Sequence, residues 1–380
     1  MSLNQKVYFP NLNGLRFFAA FVVILHHLHQ FLLLYGDKNS WHNPIIHSIG
    51  NLGVKLFFVL SGFLITYLLL SEEFFEKKIS IKDFYIRRIL RIWPLYFIIL
   101  ILGFFVLPEF EIFQFSELTT KLNSSFYFYL LLSILFMPNL VLDGYGVVVP
   151  CASQSWSVGV EEQFYLIWPV LMKLIKNRMQ LLLGVIVTYC TLEYWFLDYM
   201  KDNLYWNNKL QIFRYFFGTF SISSMAIGGI FAFWLFEKKS KILKLINNNV
   251  TFTIALLVTI SMIYFSVSFE FLTSEIYSVL FGILILNFAS NQSIKSVFEF
   301  EPLMFLGKIS YGLYMYHPIA IVLAIALFRK LYLLDFQFLL LVVSVLFTVI
   351  LATISYYIIE IKFIKYKKLF SSILSGDNVK

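Results

Sequence analysis

The first apolar stretch of the chain contains two polar residues, Arg16 and His27, that are eleven residues apart. At 100° per residue, the eleven steps between them total about 1100°, roughly 20° past three full helical turns. On one helix they would therefore share a face and lie about 16 Å apart along the axis. A guanidinium and an imidazole within a membrane-length segment are costly unless they serve a pathway or a site.

A second candidate is the pair Arg88 and Arg91, which precedes another apolar run. Their i, i+3 spacing places both side chains on one helix face. Guanidinium forks bind phosphate oxygens bidentately, which predicts a site for a phosphorylated ligand. The alternative is that these basic residues only fix the topology and contact anionic lipid.

Two adjacent carboxylates, Glu161 and Glu162, follow Trp156 near the outer end of a predicted span. Adjacent helical residues point about 100° apart, so at most one of the two faces a shared cavity. Such a carboxylate could act as a base, orient a histidine or pair with an intramembrane cation. The structural alternative for Glu161 is an ion pair with a base such as Lys55, and a structural role is favoured for Glu162.

A fourth stretch carries a polar stripe of Ser310, Tyr314 and His317 at i, i+4 and i+7. These residues line one helix face, which should contact protein or water rather than lipid. They could relay protons, or they could satisfy one another between packed helices. His26 and His29 also share a face, but no third ligand stands nearby, so no metal site is predicted.

The composition indicates which elements position these residues. Hydrophobic residues make up 59% and charged residues 14%, and the mean hydropathy is +0.78. These values predict an all-α, polytopic membrane protein. Cys151 and Cys190 are predicted in a loop and a helix, so no disulfide is expected. Ten spans are predicted, at 11–34, 49–70, 92–107, 156–175, 180–197, 217–236, 250–268, 273–289, 308–328 and 337–359.

The apolar stretch 126–142 decides the orientation, because Pro138 interrupts it. If it does not cross, 22 of the 30 Lys and Arg residues lie on the side of the N-terminus. If it crosses, only 13 do. The positive-inside rule therefore predicts two cytoplasmic termini, with 126–142 re-entrant or at the outer surface. The net charge of +8 is then topological, and no nucleic-acid partner is expected.

These stretches together resemble the acyltransferase 3 family of integral membrane O-acyltransferases. Five blocks occur in the order found in the family, and they span almost the whole chain as one membrane-embedded domain, 1–380. The blocks are NGLR, which ends at Arg16 with His27 eleven residues on; GVKLFFVLSGFL at 53–64; RILRIWP at 88–94; WSVGVEEQFYL at 156–166; and GKISYGLYMYHP at 307–318.

The resemblance implies a cytoplasmic acyl-CoA donor, usually acetyl-CoA, as a co-substrate, with no permanently bound cofactor. The acceptor would be a hydroxyl across the cell membrane, commonly on a surface polysaccharide or a lipid-linked sugar. Arg16 and His27 would form the family's Arg-x10-His pair, and Arg88 and Arg91 its cytoplasmic pair near the donor. Some members carry a fused extracytoplasmic hydrolase-like domain, whereas this chain would resemble the stand-alone type.

The chain departs from the family pattern at three places. Asn13 and Lys55 stand where acidic residues are often found, and no proline follows Lys362 in the closing motif that begins at Glu360. These departures put any family role for Asn13 and Lys55 in doubt. None of them touches the residues expected to be catalytic.

The expected mechanism centres on neutral His27, as a general base toward the acceptor hydroxyl or as a transient acyl carrier. Glu161, Tyr314 or His317 would orient this imidazole or relay its proton. The other functional class considered is a transporter or flippase of an acyl donor or lipid-linked sugar, which forms no bond. Supporting positions are expected at Ser61, Trp156, Ser157, Glu162, Ser310 and Tyr311.

Overall fold

The computed structural model describes residues 5–145, 149, 151–202, 216–269, 272–294 and 297–375. Within these residues the protein is a bundle of α-helices, which confirms the predicted all-α class. Two three-residue strands, β1 (Gln5–Val7) and β2 (Ile373–Ser375), pair in parallel. The two ends of the described chain therefore meet on one side of the bundle, as equal orientation of the termini requires. That this side is cytoplasmic stays a prediction.

The helices follow one another with short connections. In chain order they are α1 (Leu12–Leu34), α2 (Pro44–Glu76), α3 (Ile81–Ile101), α4 (Ser116–Ser124), α5 (Phe126–Ile134), α6 (Pro138–Tyr145), α7 (Ser155–Leu174), α8 (Arg178–Asp202), α9 (Ile222–Phe236), α10 (Ser240–Ile246), α11 (Asn249–Tyr264), α12 (Thr273–Ser290), α13 (Glu301–Lys308), α14 (Ser310–Lys330), α15 (Gln337–Ser355) and α16 (Ile361–Lys367). The π-helical segments Leu102–Val106 and Tyr356–Glu360 extend α3 and α15, and 3-10 turns lie at Leu107–Glu109, Glu111–Phe113, Gln292–Ile294 and Lys368–Phe370.

Several of these helices are suited to a bilayer. Seven helical stretches in the described residues are long and apolar enough to cross it, and the bent pair α10 and α11 raises the number to eight. The two remaining predicted spans fall on α7 and α8, which have 20 and 25 residues. The protein is thus a multi-pass membrane protein, and the number ten stays a prediction.

The stretch 126–142 is not one continuous helix. It forms α5 and α6, of nine and eight residues, with a break at Phe136, whose φ is 57°. Nε2 of Gln163 donates to the carbonyl oxygen of Phe136 (2.7 Å) and to Oδ1 of Asn139 (3.0 Å), which ties the break to α7. Two segments this short do not span a bilayer as helices, in agreement with the prediction.

Helix α2 forms the centre of the bundle and carries residues to both sides of it. Oδ1 of Asn43 caps its start by accepting from the backbone N–H of Ile45 (2.9 Å). Its backbone touches that of α9, because a Cβ added at Gly62 would lie 1.9 Å from the carbonyl oxygen of Met225. A Cβ at Gly228 would likewise lie 2.0 Å from the carbonyl oxygen of Val59. Small residues permit this close approach, as is usual between membrane helices.

Candidate active site

The two larger cavities found among the described residues share a layer of lining side chains. The inner cavity, of about 240 Å³, lies beside β1 on the side where the chain ends meet. The outer cavity, of about 1060 Å³, is lined by residues near the opposite ends of the helices. Val54 and Phe58 of α2 line both cavities. These two side chains form the layer between the cavities.

The inner cavity contains the three arginines that the sequence singled out. Arg16, Arg88 and Arg91 all line it, although they come from two different helices. Nη1 of Arg16 donates to Oδ1 of Asn13 (2.9 Å), so the amide at this position still holds the guanidinium. Nη1 of Arg91 lies 3.8 Å from Oε2 of Glu360. The structure thus brings the predicted donor-binding residues together.

Arg88 is held by aromatic rings rather than by a carboxylate. Its guanidinium lies 5.5 Å from the ring centre of Tyr165 and 5.7 Å from that of Phe84. Its buried Nε donates to no acceptor among the described residues. Stacking of this kind orients a guanidinium while leaving its N–H groups for a ligand. The predicted site for a phosphorylated ligand therefore has a preoriented cation.

Only one carboxylate of the adjacent pair faces a cavity, as the helical geometry predicted. Glu161 lines the inner cavity and accepts from Oγ of Ser61 (2.5 Å) and the hydroxyl of Tyr165 (3.2 Å). Glu162 points elsewhere and accepts from the indole N–H of Trp93 (2.9 Å), a structural contact. Glu161 does not pair with Lys55, whose ammonium group donates to Ser274.

No hydrogen bond joins Glu161 to His27 among the described residues, so a role of Glu161 in orienting that imidazole stays a prediction. Glu161 is six residues into α7, about 9 Å from its first residue, and shares the inner cavity with Arg16. His27 instead lines the outer cavity. The face of α7 that carries Glu161 is turned to Ser61 and Tyr165, on the arginine side of the layer.

His317 is the predicted partner that does reach His27. Nε2 of His317 lies 3.2 Å from Nδ1 of His27, and the ring centres are 4.8 Å apart. This contact joins α1 to α14 across 290 positions of sequence. His317 is fully buried and His27 is partly exposed.

Backbone carbonyls determine the tautomers of this histidine pair. Nδ1 of His317 lies 2.6 Å from the carbonyl oxygen of Tyr314, so this nitrogen carries the proton and donates it. Nε2 of a neutral His317 must then accept, and Nδ1 of His27 must be the donor. Nδ1 of His27 also lies 3.0 Å from the carbonyl oxygen of Val23, which again requires a proton there. Nε2 of His27 is therefore unprotonated in the neutral ring.

The rest of the stripe on α14 lies on the inner side. Ser310, Tyr311 and Tyr314 line the inner cavity. The hydroxyl of Tyr314 accepts from Ser157 (2.7 Å) and donates to the carbonyl oxygen of Gln154 (3.2 Å). That of Tyr311 donates to the carbonyl oxygen of Ile92 (2.9 Å). The hydroxyl of Tyr314 thus contacts α7, while its ring and its backbone carbonyl contact His317.

Trp156 forms part of a cavity wall, and the histidines near His27 bind the backbone. Trp156 lines the outer cavity and packs edge-to-face on Phe58, with ring centres 6.2 Å apart. His26 and His29 bind different backbone groups, those of Ile46 (2.9 Å) and Ser40 (3.2 Å). The described residues include no group of three or more His, Cys, Asp or Glu placed to hold a metal ion.

Both cysteines are free, as predicted. Burial raises the pKa of the Cys151 thiol, which does not suit a nucleophile.

Two residues that contact the arginines of the inner cavity were missed at the level of sequence. Tyr165 contacts both Glu161 and Arg88, and its i+4 position after Glu161 was a usable signal. Glu360 is only 3% exposed and lies against Arg91. A carboxylate so near the end of a chain gave no local sign of burial.

The chain is similar to known acyltransferases along most of its length. The acyltransferase 3 family model, described as "Acyltransferase domain", matches residues 9–358. Peptidoglycan O-acetyltransferase OatA of Listeria monocytogenes is 27% identical over 82% of this chain and 49% of its own length. O-acetyltransferase OatA of Staphylococcus aureus is 28% identical over 93% of this chain and 57% of its own length.

This chain spans about half the length of the curated relatives it matches. No solved structure matches it. The family model covers all five sequence blocks, the three arginines of the inner cavity and both histidines of the pair. The chain therefore belongs to the acyltransferase 3 family.

Proposed function

We propose that the protein transfers an acetyl group from cytoplasmic acetyl-CoA to a sugar hydroxyl of a cell-wall polymer on the other side of the membrane. The observation that carries the proposal is the His27–His317 contact of 3.2 Å next to the layer between two unlike cavities. The named relatives support O-acetylation, and one of them supports peptidoglycan as the class of acceptor.

The inner cavity suits the donor. Arg16, Arg88 and Arg91 place three guanidinium groups around a small space, where they bind the phosphates of coenzyme A by charge-assisted hydrogen bonds. The apolar wall of Val54, Phe57 and Phe58 then receives the acyl end of the molecule. The thioester in this arrangement lies against the layer beyond which His27 stands.

The outer cavity suits the acceptor. Nε2 of His27 takes the proton of the acceptor hydroxyl as its oxygen attacks the thioester carbonyl carbon. The carbon–sulfur bond breaks, the ester forms, and the proton passes from His27 to the thiolate of coenzyme A. His317 holds the imidazole of His27 in the tautomer that leaves Nε2 free, as the third member of a catalytic triad does.

Glu161 has a different part in this scheme from that first expected. Its hydrogen bonds to Ser61 and Tyr165 fix α2 and α7 around the donor, and Tyr165 in turn supports Arg88. Ser157 similarly fixes the phenol of Tyr314. These are positioning residues of the inner cavity.

The decisive experiment is thiol release from acetyl-CoA by the purified protein in lipid nanodiscs, with and without soluble peptidoglycan fragments. Loss of a general base predicts that His27→Ala lowers acceptor-dependent release about 100- to 10,000-fold. The matched control is His42→Ala, since His42 is exposed between α1 and α2. Unchanged release by His27→Ala contradicts the role of His27.

The same preparation separates the other schemes. A transporter moves acetyl groups or sugars across a vesicle membrane without any thiol release by the wild-type protein. A carrier mechanism leaves an acetyl group on His27 when the reaction is quenched before acceptor is added. General-base catalysis leaves the imidazole unmodified.

A further inference from the structure

A second polar cluster lies in the outer cavity, apart from the histidine pair. Lys55 of α2, Glu193 of α8 and Ser274 of α12 all line this cavity. Lys55 precedes Phe58 by three residues, so its Cα lies about 4.5 Å along the helix from the residue that separates the cavities. The cluster therefore borders the place where an acceptor hydroxyl must arrive.

Lys55 is not neutralised by a direct ion pair. Its ammonium group donates to the hydroxyl of Ser274. The carboxylates of Glu193 and Glu275 interact with it electrostatically, but neither forms an ion pair with it within 4.0 Å among the described residues. An ammonium group with three N–H donors thus has a capacity for ligands that Ser274 alone does not fill.

Glu193 lacks a hydrogen-bond donor, whereas Lys55 has donors to spare. Its buried Oε2 accepts no hydrogen bond from the part of the chain that the structure describes. The neighbouring Glu275 accepts from Ser223 (2.9 Å), and it does not line the cavity. A buried carboxylate oxygen without a donor is costly, so such an oxygen at a cavity wall favours a ligand that supplies one.

The chemistry of the cluster selects one class of ligand. A free acid or phosphate would meet the carboxylate of Glu193, and an amine would meet the ammonium group of Lys55. A neutral sugar avoids both conflicts, because each hydroxyl can donate to Glu193 while accepting from Lys55. The cavity volume of about 1060 Å³ is at the upper end of the usual range for ligand sites, which suits an oligosaccharide.

We propose that Lys55, Glu193 and Ser274 form a subsite that binds the hydroxyl groups of a neutral carbohydrate, the acceptor of the reaction. This inference rests on the proposed function, since it assigns the acceptor to the outer cavity. It also gives Lys55 a role in binding the acceptor. The subsite holds one sugar while its neighbour presents a hydroxyl to His27.

The test is direct binding of a neutral N-acetylglucosamine oligosaccharide to the purified protein in nanodiscs, measured by calorimetry without acetyl-CoA. We expect saturable binding by the wild type and a loss of affinity of roughly tenfold or more in Lys55→Met and Glu193→Gln, since each loses a charged hydrogen bond. The matched control is the double variant Glu237→Gln, Lys239→Met, which removes an exposed pair of the same types.

The outcomes separate this inference from the proposed function. Wild-type affinity in both variants, or no saturable binding by the wild type, overturns the subsite. Thermal unfolding at the wild-type temperature excludes a general defect, and unchanged acetyl-CoA binding excludes an effect on the donor. If binding falls in the variants while the wild type releases no thiol from acetyl-CoA, the subsite stands and the acetyl-transfer proposal fails.

Discussion

The two cavities differ in the way each handles charge. The inner cavity is small and gathers Arg16, Arg88 and Arg91, with Glu161 held by hydroxyl groups rather than by a cation. The outer cavity is more than four times larger and combines His27 with Lys55 and, among the described residues, the carboxylate of Glu193. The first arrangement attracts a polyanion, whereas the second suits a neutral polar molecule. Side chains of α2 lie between these two differently charged cavities.

The largest effect should come from breaking the link between the histidines. His317→Ala removes one of the two acceptors for the Nδ1 proton of His27 and leaves only the carbonyl oxygen of Val23, so the tautomer and orientation of the ring are held less firmly. We expect kcat to fall roughly 10- to 100-fold, as for partners that orient a functional histidine through its other ring nitrogen. The KM for acetyl-CoA should stay near wild type, because His317 does not line the inner cavity. A rise in this KM with unchanged kcat would contradict the assignment.

An intermediate effect should come from the inner cavity alone. Arg88→Lys keeps the positive charge and loses both the fork and the stacking on Tyr165. We expect acetyl-CoA affinity to fall roughly tenfold, the equivalent of one charged hydrogen bond, with carbohydrate binding unchanged. Equilibrium titration with each ligand measures the two effects, and Lys82→Ala, at an exposed position of α3, is the control. An equal loss for both ligands would mean that the cavities are not independent.

The smallest effect should come from shortening a side chain of the layer between the two cavities. Phe58 is 2% exposed and lines both cavities, so Phe58→Ala opens a path for water to the thioester. We expect acceptor-independent release of thiol to rise about three- to tenfold, because exclusion of water suppresses such hydrolysis. Phe58→Leu retains most of the volume and should stay near the wild-type rate. Equal release by the two variants would place the barrier elsewhere.

Features governed by local periodicity could be predicted from the sequence. The apolar run 11–34 predicted one helix that contains both Arg16 and His27, and α1 spans both residues. The divergence of Glu161 and Glu162 followed from the angle between adjacent helical residues, and the structure agrees. The break near Pro138 could also be predicted from a single stretch of chain. In the structure it occurs at Phe136, which has a left-handed backbone conformation.

Features that depend on how helices cross could not be read in this way. The partner of His27 is His317, and nothing local connects two residues on α1 and α14. Glu161 was expected near His27 because both were placed in the outer half of a span. The side of the layer on which it lies depends on where α2 passes between α1 and α7, which a single sequence does not encode visibly.

The contact between α2 and α9 has a mechanical consequence. Their backbones touch at Gly62 and Gly228, so neither helix can slide or roll on the other without a clash between main-chain atoms. The positions of Lys55, Phe58 and Ser61 on α2 are therefore fixed relative to α9. Helix α1 also approaches α2 closely, because a Cβ added at Gly53 would lie 2.8 Å from the carbonyl oxygen of Ala19. The layer between the cavities is thus anchored by main-chain contacts on two sides, and its side chains can change rotamer more readily than its helices can slide.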